Sequence, residues 1–140
     1  MDLGKKAEKF ILDYLDNLNK RVYVARFVDT YDANKGRWGD PTQKKAIVER
    51  RPCDAMLVLN GKTYFCEVKA TTNKTGIYSG LFTKQKGERK RIINAGGSYL
   101  YLIYSYALEQ WYSVVYPDLN ENANWFELEE FKVDLPKVPI

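Results

Sequence analysis

The sequence predicts an α/β domain in which a mixed β-sheet is flanked by helices. Three observations carry this. Apolar residues recur at helical spacing near the N-terminus, an Asn60-Gly61 pair separates two apolar runs, and a second helical segment is followed by two more runs rich in β-branched and aromatic residues. The resulting order of helix, strand, hairpin, helix, strand, strand gives a mixed sheet with helices on its faces.

Each element has its own signal. In residues 4–19, Ala7, Phe10, Ile11, Tyr14, Leu15 and Leu18 form one apolar stripe of an amphipathic helix, with Glu8 at its edge. Residues 21–29, RVYVARFVD, read as the first strand. Residues 30–52 carry Gly36, Gly39 and Asp40-Pro41 and read as loop. Residues 54–59 and 62–69 read as two strands joined by the two-residue turn that Asn-Gly favours. A polar loop over 70–83 leads to a helix over 84–95, stopped by Gly96-Gly97. Strands over 98–105 and 111–116 complete the sheet. The acidic, proline-containing tail from Pro117 is expected on the outside. The whole span 1–140 reads as one domain, since no linker, repeat or low-complexity segment interrupts it.

Composition narrows the chemistry. The chain has two cysteines and neither an N-terminal signal-peptide pattern nor a membrane-length apolar run, so a soluble protein of a reducing cytoplasm is expected. It has no histidine, which excludes serine-histidine and cysteine-histidine triads and zinc sites built on imidazole. Hydrolytic chemistry must then run on carboxylates, lysine and a hard metal ion. The net charge is +4, and the cations cluster as Lys44-Lys45, Arg50-Arg51 and Lys84, Lys86, Arg89, Lys90, Arg91. Such clusters attract a polyphosphate backbone, although each also serves as an ordinary solvated face. With Lys5 and Lys6, the candidate DNA contacts are Lys5, Lys6, Lys44, Lys45, Arg50, Arg51, Lys84, Lys86, Arg89 and Lys90.

The hairpin converts spacing into position. With Asn60 and Gly61 in the turn, Leu59 faces Lys62 and Asp54 falls opposite Glu67. Alternation places Asp54, Met56, Val58, Thr63, Phe65, Glu67 and Lys69 on one face and Ala55, Leu57, Leu59, Tyr64, Cys66 and Val68 on the other. Both faces are mostly apolar, so the hairpin is central and covered on both sides. Two carboxylates meeting at its end repel unless a cation lies between them. Oxygen-only ligation favours Mg²⁺, with Mn²⁺ as substitute. Lys69, one step beyond Glu67 on the same face, can orient a metal-bound water or neutralise a phosphorane; it can equally bridge the two acids as a plain ion pair. Gln85 is expected on the inward face of its helix, as part of a polar site or as a partly buried amide. Glu8 reads as a further metal or water ligand, or as a surface partner of Lys5. Asp29, Asp32 and Asp40 read as turn or surface residues. Trp38, beside Lys35 and Arg37, reads as a DNA or subunit contact or as a loop anchor, and Cys66 as a small core residue.

These residues resemble the PD-(D/E)xK nuclease superfamily, through Pro52-Cys53-Asp54, Glu67-Val68-Lys69 and Gln85. The closest likeness within it is to RecU-type and archaeal Holliday-junction resolvases, through Gly4-Lys5-Lys6-Ala7-Glu8, the stretch NGKTYFCEVKATTNKT and Gly96-Gly97, over about residues 4–105. The resemblance implies a restriction-endonuclease-like fold and Mg²⁺ held by Asp54, Glu67 and the Val68 carbonyl. It also implies that Lys69, Gln85 and Glu8 assist, and that a homodimer cuts a four-way DNA junction symmetrically. Cys53 departs from the small polar residue common at its position. A long spacer also separates Asp29 from Asp54, a departure that bears on substrate choice more than on hydrolysis. The expected function is a metal-dependent, structure-selective DNA endonuclease leaving 5′-phosphate and 3′-hydroxyl ends. The alternatives are another nuclease of the superfamily, of restriction, repair or exonucleolytic type, and a non-catalytic DNA-binding module.

Overall fold

Aspartate at position 2 starts the chain's first element. The computed structural model describes residues 2–18, 21–29, 45–48 and 51–139. The Asp2 side chain caps helix α1, Leu3–Asp16, by accepting from the Lys5 amide at 2.7 Å. Ala7, Ile11, Leu12 and Leu15 are its buried stripe. The helix thus begins one residue before the expected Gly4, because the cap precedes the apolar stripe.

Seven strands follow among the described residues: β1, Val22–Asp29; β2, Lys45–Val48; β3, Ala55–Leu59; β4, Lys62–Thr71; β5, Tyr99–Ser105; β6, Gln110–Val115; and β7, Lys132–Val133. They form one sheet in the order β2-β1-β3-β4-β5-β6-β7. The pairs β1/β2 and β4/β5 are parallel and the others antiparallel, so the expected mixed sheet is present. Helix α2, Lys86–Asn94, enters between β4 and β5. The turn at Asn60 and Gly61 has positive φ at both residues, 50° and 78°, as a two-residue hairpin turn requires. It sets the register Leu59↔Lys62 through Ala55↔Cys66, as the spacing predicts.

The face assignment read from alternation also holds. Ala55, Leu57, Cys66 and Val68 pack with α1, Leu100, Leu102 and Tyr104. On the other face Phe65 joins Cys53, Tyr99, Tyr101 and Ile103, together with Ile92 and Ile93 of α2. All seven positions of β5 are buried, which marks it as a strand covered on both sides.

Three expectations need correction. The segment expected as loop over 30–52 contains β2, a four-residue strand whose apolar run, Ala46-Ile47-Val48, is too short to show a period. The tail from Pro117 is not merely external. Leu119, Ala123, Trp125 and Leu128 are buried against the α2 face, and β7 extends the sheet along β6. Its apolar residues fall in irregular structure, where burial leaves no periodic trace. Finally, α2 starts at Lys86, so Gln85 precedes the helix.

Strand lengths create the feature that matters most. The first strand pairs with β3 only as far as Arg26↔Ala55, and β4 only as far as Cys66↔Ala55. Residues 27–29 of β1 continue beside β2, and residues 67–71 of β4 continue beside β5. A notch therefore opens where β3 begins, and Asp54 sits at its base.

Candidate functional site

Asp54 is 2% exposed and is fixed on three sides. Its carbonyl accepts from the Phe27 amide of β1 at 3.0 Å, and its amide donates to the Cys66 carbonyl of β4 at 3.0 Å. Its side-chain Oδ2 accepts from the Val68 amide at 2.7 Å. The carboxylate thus satisfies a ladder donor of β4 that has lost its β3 partner. A strand residue presents its N–H and C=O to the same side, so the Val68 carbonyl also faces the notch. The ladder ends at Ala55↔Cys66, so Asp54 meets Glu67 as a neighbour across the notch and not as one more cross-strand rung.

Upstream, the Pro52 carbonyl accepts from the buried Tyr99 hydroxyl at 3.0 Å, anchoring the approach to Asp54. Spacing gives no hint of this contact between residues so far apart in the chain. Cys53, also buried, donates its thiol to the Ala55 carbonyl. Burial first, and then the negative field of Glu67, hold that thiol well above its ordinary pKa. Cys53 and Cys66 are accordingly inert core residues, as expected for Cys66.

Glu67 is 4% exposed. Its Oε2 lies 3.1 Å from Lys69 Nζ, while Oε1 is buried with no hydrogen-bond partner. Desolvation, reinforced by the charge of Asp54, pushes its pKa up to about 8, against the opposing pull of Lys69. Glu8 reaches the same place from α1. Its carboxyl is within hydrogen-bonding reach of Asp54, and burial followed by the Asp54 charge raises its pKa to about 7. Glu8 and Glu67 therefore hold protons where isolated acids would have lost them. Arg51 Nη2 stands 3.1 Å from Asp54 Oδ1, but that oxygen receives no well-directed hydrogen bond.

Glu8, Asp54, Glu67 and Lys69 are therefore brought together as the sequence suggests. The set fits a hard divalent cation. It offers buried carboxylate oxygens without hydrogen-bond donors, a repulsive charge cluster, and an ammonium on its rim. Among the described residues no group of three or more His, Cys, Asp and Glu side chains is placed to hold a metal ion, so the fit rests on one or two carboxylates. Mg²⁺ commonly binds through one or two carboxylates and keeps several waters.

Gln85 differs from expectation in how it is presented. It adopts a left-handed backbone, φ 63° and ψ 11°, just before α2, so the helical wheel does not apply to it. Its Oε1 is nonetheless buried without a hydrogen-bond partner, a polar group aimed inward.

The basic candidates divide. Lys5, Lys84, Lys90 and Arg91 are exposed, and Lys6 is half-buried. Lys86 lies 3.2 Å from Glu121. Arg89 does not belong with the DNA contacts. It is 8% exposed, donates to the Tyr101 hydroxyl at 2.7 Å, lies 3.3 Å from Glu121 and stacks over Tyr116 at 4.2 Å. Arg51 is likewise turned toward the acid cluster. Lys44, Arg50, Trp38, Lys35, Arg37, Asp32, Asp40 and the Lys45 and Asp29 side chains lie outside the described residues. The Arg51 contact had one available signal, a cation three residues before the aspartate.

The chain matches no protein-family model and no curated protein. No helix among the described residues is long and apolar enough to cross a membrane.

Proposed function

We propose that this chain is a Mg²⁺-dependent DNA endonuclease of the PD-(D/E)xK type, with a restriction-endonuclease-like fold and Mn²⁺ as a substitute ion. The observation that carries the reading is the buried acid cluster in the notch, with Asp54 Oδ1 and Glu67 Oε1 lacking hydrogen-bond donors and Lys69 3.1 Å from Glu67. Asp54, Glu67 and the Val68 carbonyl would hold the ion. Bound there, it would neutralise charge on the scissile phosphate and lower the pKa of a coordinated water.

The chain's own groups do the rest. Lys69 places a positive charge beside Glu67, where it orients the attacking water and offsets the charge gathering on phosphate oxygens. Glu8, with its pKa near neutrality, exchanges a proton with the same site. Gln85 offers a neutral amide to position water or phosphate. Exposed Lys5, Lys84, Lys90 and Arg91 supply charge for the flanking backbone. The substrate we infer is a four-way DNA junction cut by a homodimer, to 5′-phosphate and 3′-hydroxyl ends, since two symmetric strands call for two symmetric sites.

A panel of junction, flap and linear duplex substrates, with wild type and Asp54→Asn in Mg²⁺ and in Mn²⁺, tests this. Wild type should cut the junction in preference, and Asp54→Asn should lose at least about 10³-fold in rate while still binding it, the scale of removing a principal electrostatic contact. Equal cutting of plain duplex would refute junction selectivity and leave a nuclease of another kind. Undiminished binding with no cleavage in either ion would establish a DNA-binding module.

A further inference from the structure

Asp54 has two carboxylate oxygens in unlike situations. Oδ2 is committed to the Val68 amide at 2.7 Å. Oδ1 accepts no hydrogen bond and is the oxygen left for a cation, and Arg51 Nη2 already stands 3.1 Å from it. The Arg51 side chain is 25% exposed, against 1% for Asp54, so the arginine reaches solvent where the aspartate does not. Its positive field acts on Glu8 and Glu67 as well, lowering the pKa of both against the forces that raise them. A guanidinium cannot give up its proton near neutrality, so this charge leaves only by moving. The neighbouring backbone is anchored, because Tyr99 holds the Pro52 carbonyl, while the arginine stem has several rotatable bonds.

We propose that Arg51 is the resident cation of the acid cluster, occupying Asp54 Oδ1 in the metal-free protein and displaced from it when a divalent ion binds. Arg51 is thus a positioning residue whose cost appears in metal affinity. The proposal rests on the nuclease reading above, because it takes the cluster to be a metal site.

Calorimetric titration of Mn²⁺ into wild type, Arg51→Gln and Arg51→Lys, beside thermal melts of each in chelator, tests it. Arg51→Gln should melt lower in chelator yet bind Mn²⁺ about tenfold more tightly, because a like charge close to the ion has been removed. Arg51→Lys should stay near wild type in both. A purely structural arginine predicts the same lower melt but equal or weaker Mn²⁺ binding, and that result overturns the proposal. If Arg51→Gln does not fold in chelator, folding restored at Mn²⁺ concentrations below those that half-load wild type supports it; no restoration at saturating Mn²⁺ overturns it. A wild type that takes up no Mn²⁺ would bring down the nuclease reading and this inference together. Uptake by wild type without tightening in Arg51→Gln would bring down this inference alone.

Discussion

Glu67 and Glu8 keep protons that exposed carboxyls would have shed well below neutrality, and this ties the site to the stability of the fold. Both acids have a folded pKa raised above the ordinary value of 4.5, to about 8 and about 7, with desolvation the largest cause. The folded protein therefore binds more protons than the unfolded chain between those limits, and stability is lost as pH rises through the window. In chelator the melting temperature should fall from pH 5 to pH 8.5, and Glu67→Gln should flatten the fall. A melting temperature that climbs with pH would contradict the assignment. Added Mg²⁺ should oppose the loss most strongly at the alkaline end, where the ligands are unprotonated. At this scale much was legible. A period of two and an Asn-Gly turn suffice to convert the spacing of Asp54, Glu67 and Lys69 into proximity. Arg89 was not legible. In a run of five cations no local pattern says which one turns inward, and its partners Tyr101, Tyr116 and Glu121 are distant in sequence. Arg89→Ala should cost about 1–3 kcal/mol in a denaturant titration, chiefly through the lost Tyr101 hydroxyl partner and the packing on Tyr116, since Lys86 still faces Glu121. Lys84→Ala and Lys90→Ala should leave stability nearly unchanged.

The elements around the notch show where precision is needed. The loop after β4 is clamped by the tail. Ile77 donates to the Ala123 carbonyl, Trp125 to the Thr75 carbonyl, and the Trp125 indole to the Asn73 carbonyl. Gly76 makes this possible, since a Cβ there would fall 2.2 Å from the Ala123 carbonyl oxygen. Gly76→Ala should therefore force backbone movement and destabilise by about 1–3 kcal/mol, on the scale of overpacking; a neutral result by chemical denaturation would show that the loop shifts freely. The residue that ends this loop, Gln85, is held at φ 63°, which glycine adopts at little cost. Gln85→Gly should raise stability by up to about 1 kcal/mol while slowing cleavage. A slower enzyme with no stability gain would mean the side chain also braces the fold. None of the clamp was readable in advance, because it joins irregular segments about fifty residues apart, and period-based reading sees only contacts within an element. The hairpin itself was readable for the opposite reason.

Among the described residues the sheet carries α1 on one face and α2 on the other, and the tail serves both, with Trp125 and Leu128 on the α2 face and Leu135 and Val138 on the α1 face. The tail stacks Trp125 on Tyr112 of β6, with ring centroids 5.3 Å apart, and its Pro136 carbonyl accepts from the Trp111 indole. Trp125→Ala should cost about 3–5 kcal/mol, which is core behaviour; a loss under about 1 kcal/mol would return the tail to the exterior where its composition first placed it. Charge acts at the same scale. Each exposed lysine that meets a phosphate should reduce the salt slope of DNA binding by about 1 when removed, and Lys84→Ala and Lys90→Ala are the variants on which to measure it.

The opening where β3 begins also sets a width. With β1 and β4 continuing on either side of one absent strand, the flanking backbones stand two strand spacings apart, about 9–10 Å. That is the gauge of a single extended backbone. On the nuclease reading proposed above, a phosphodiester would reach Asp54 edge-on as one line, the form in which DNA with splayed strands presents itself.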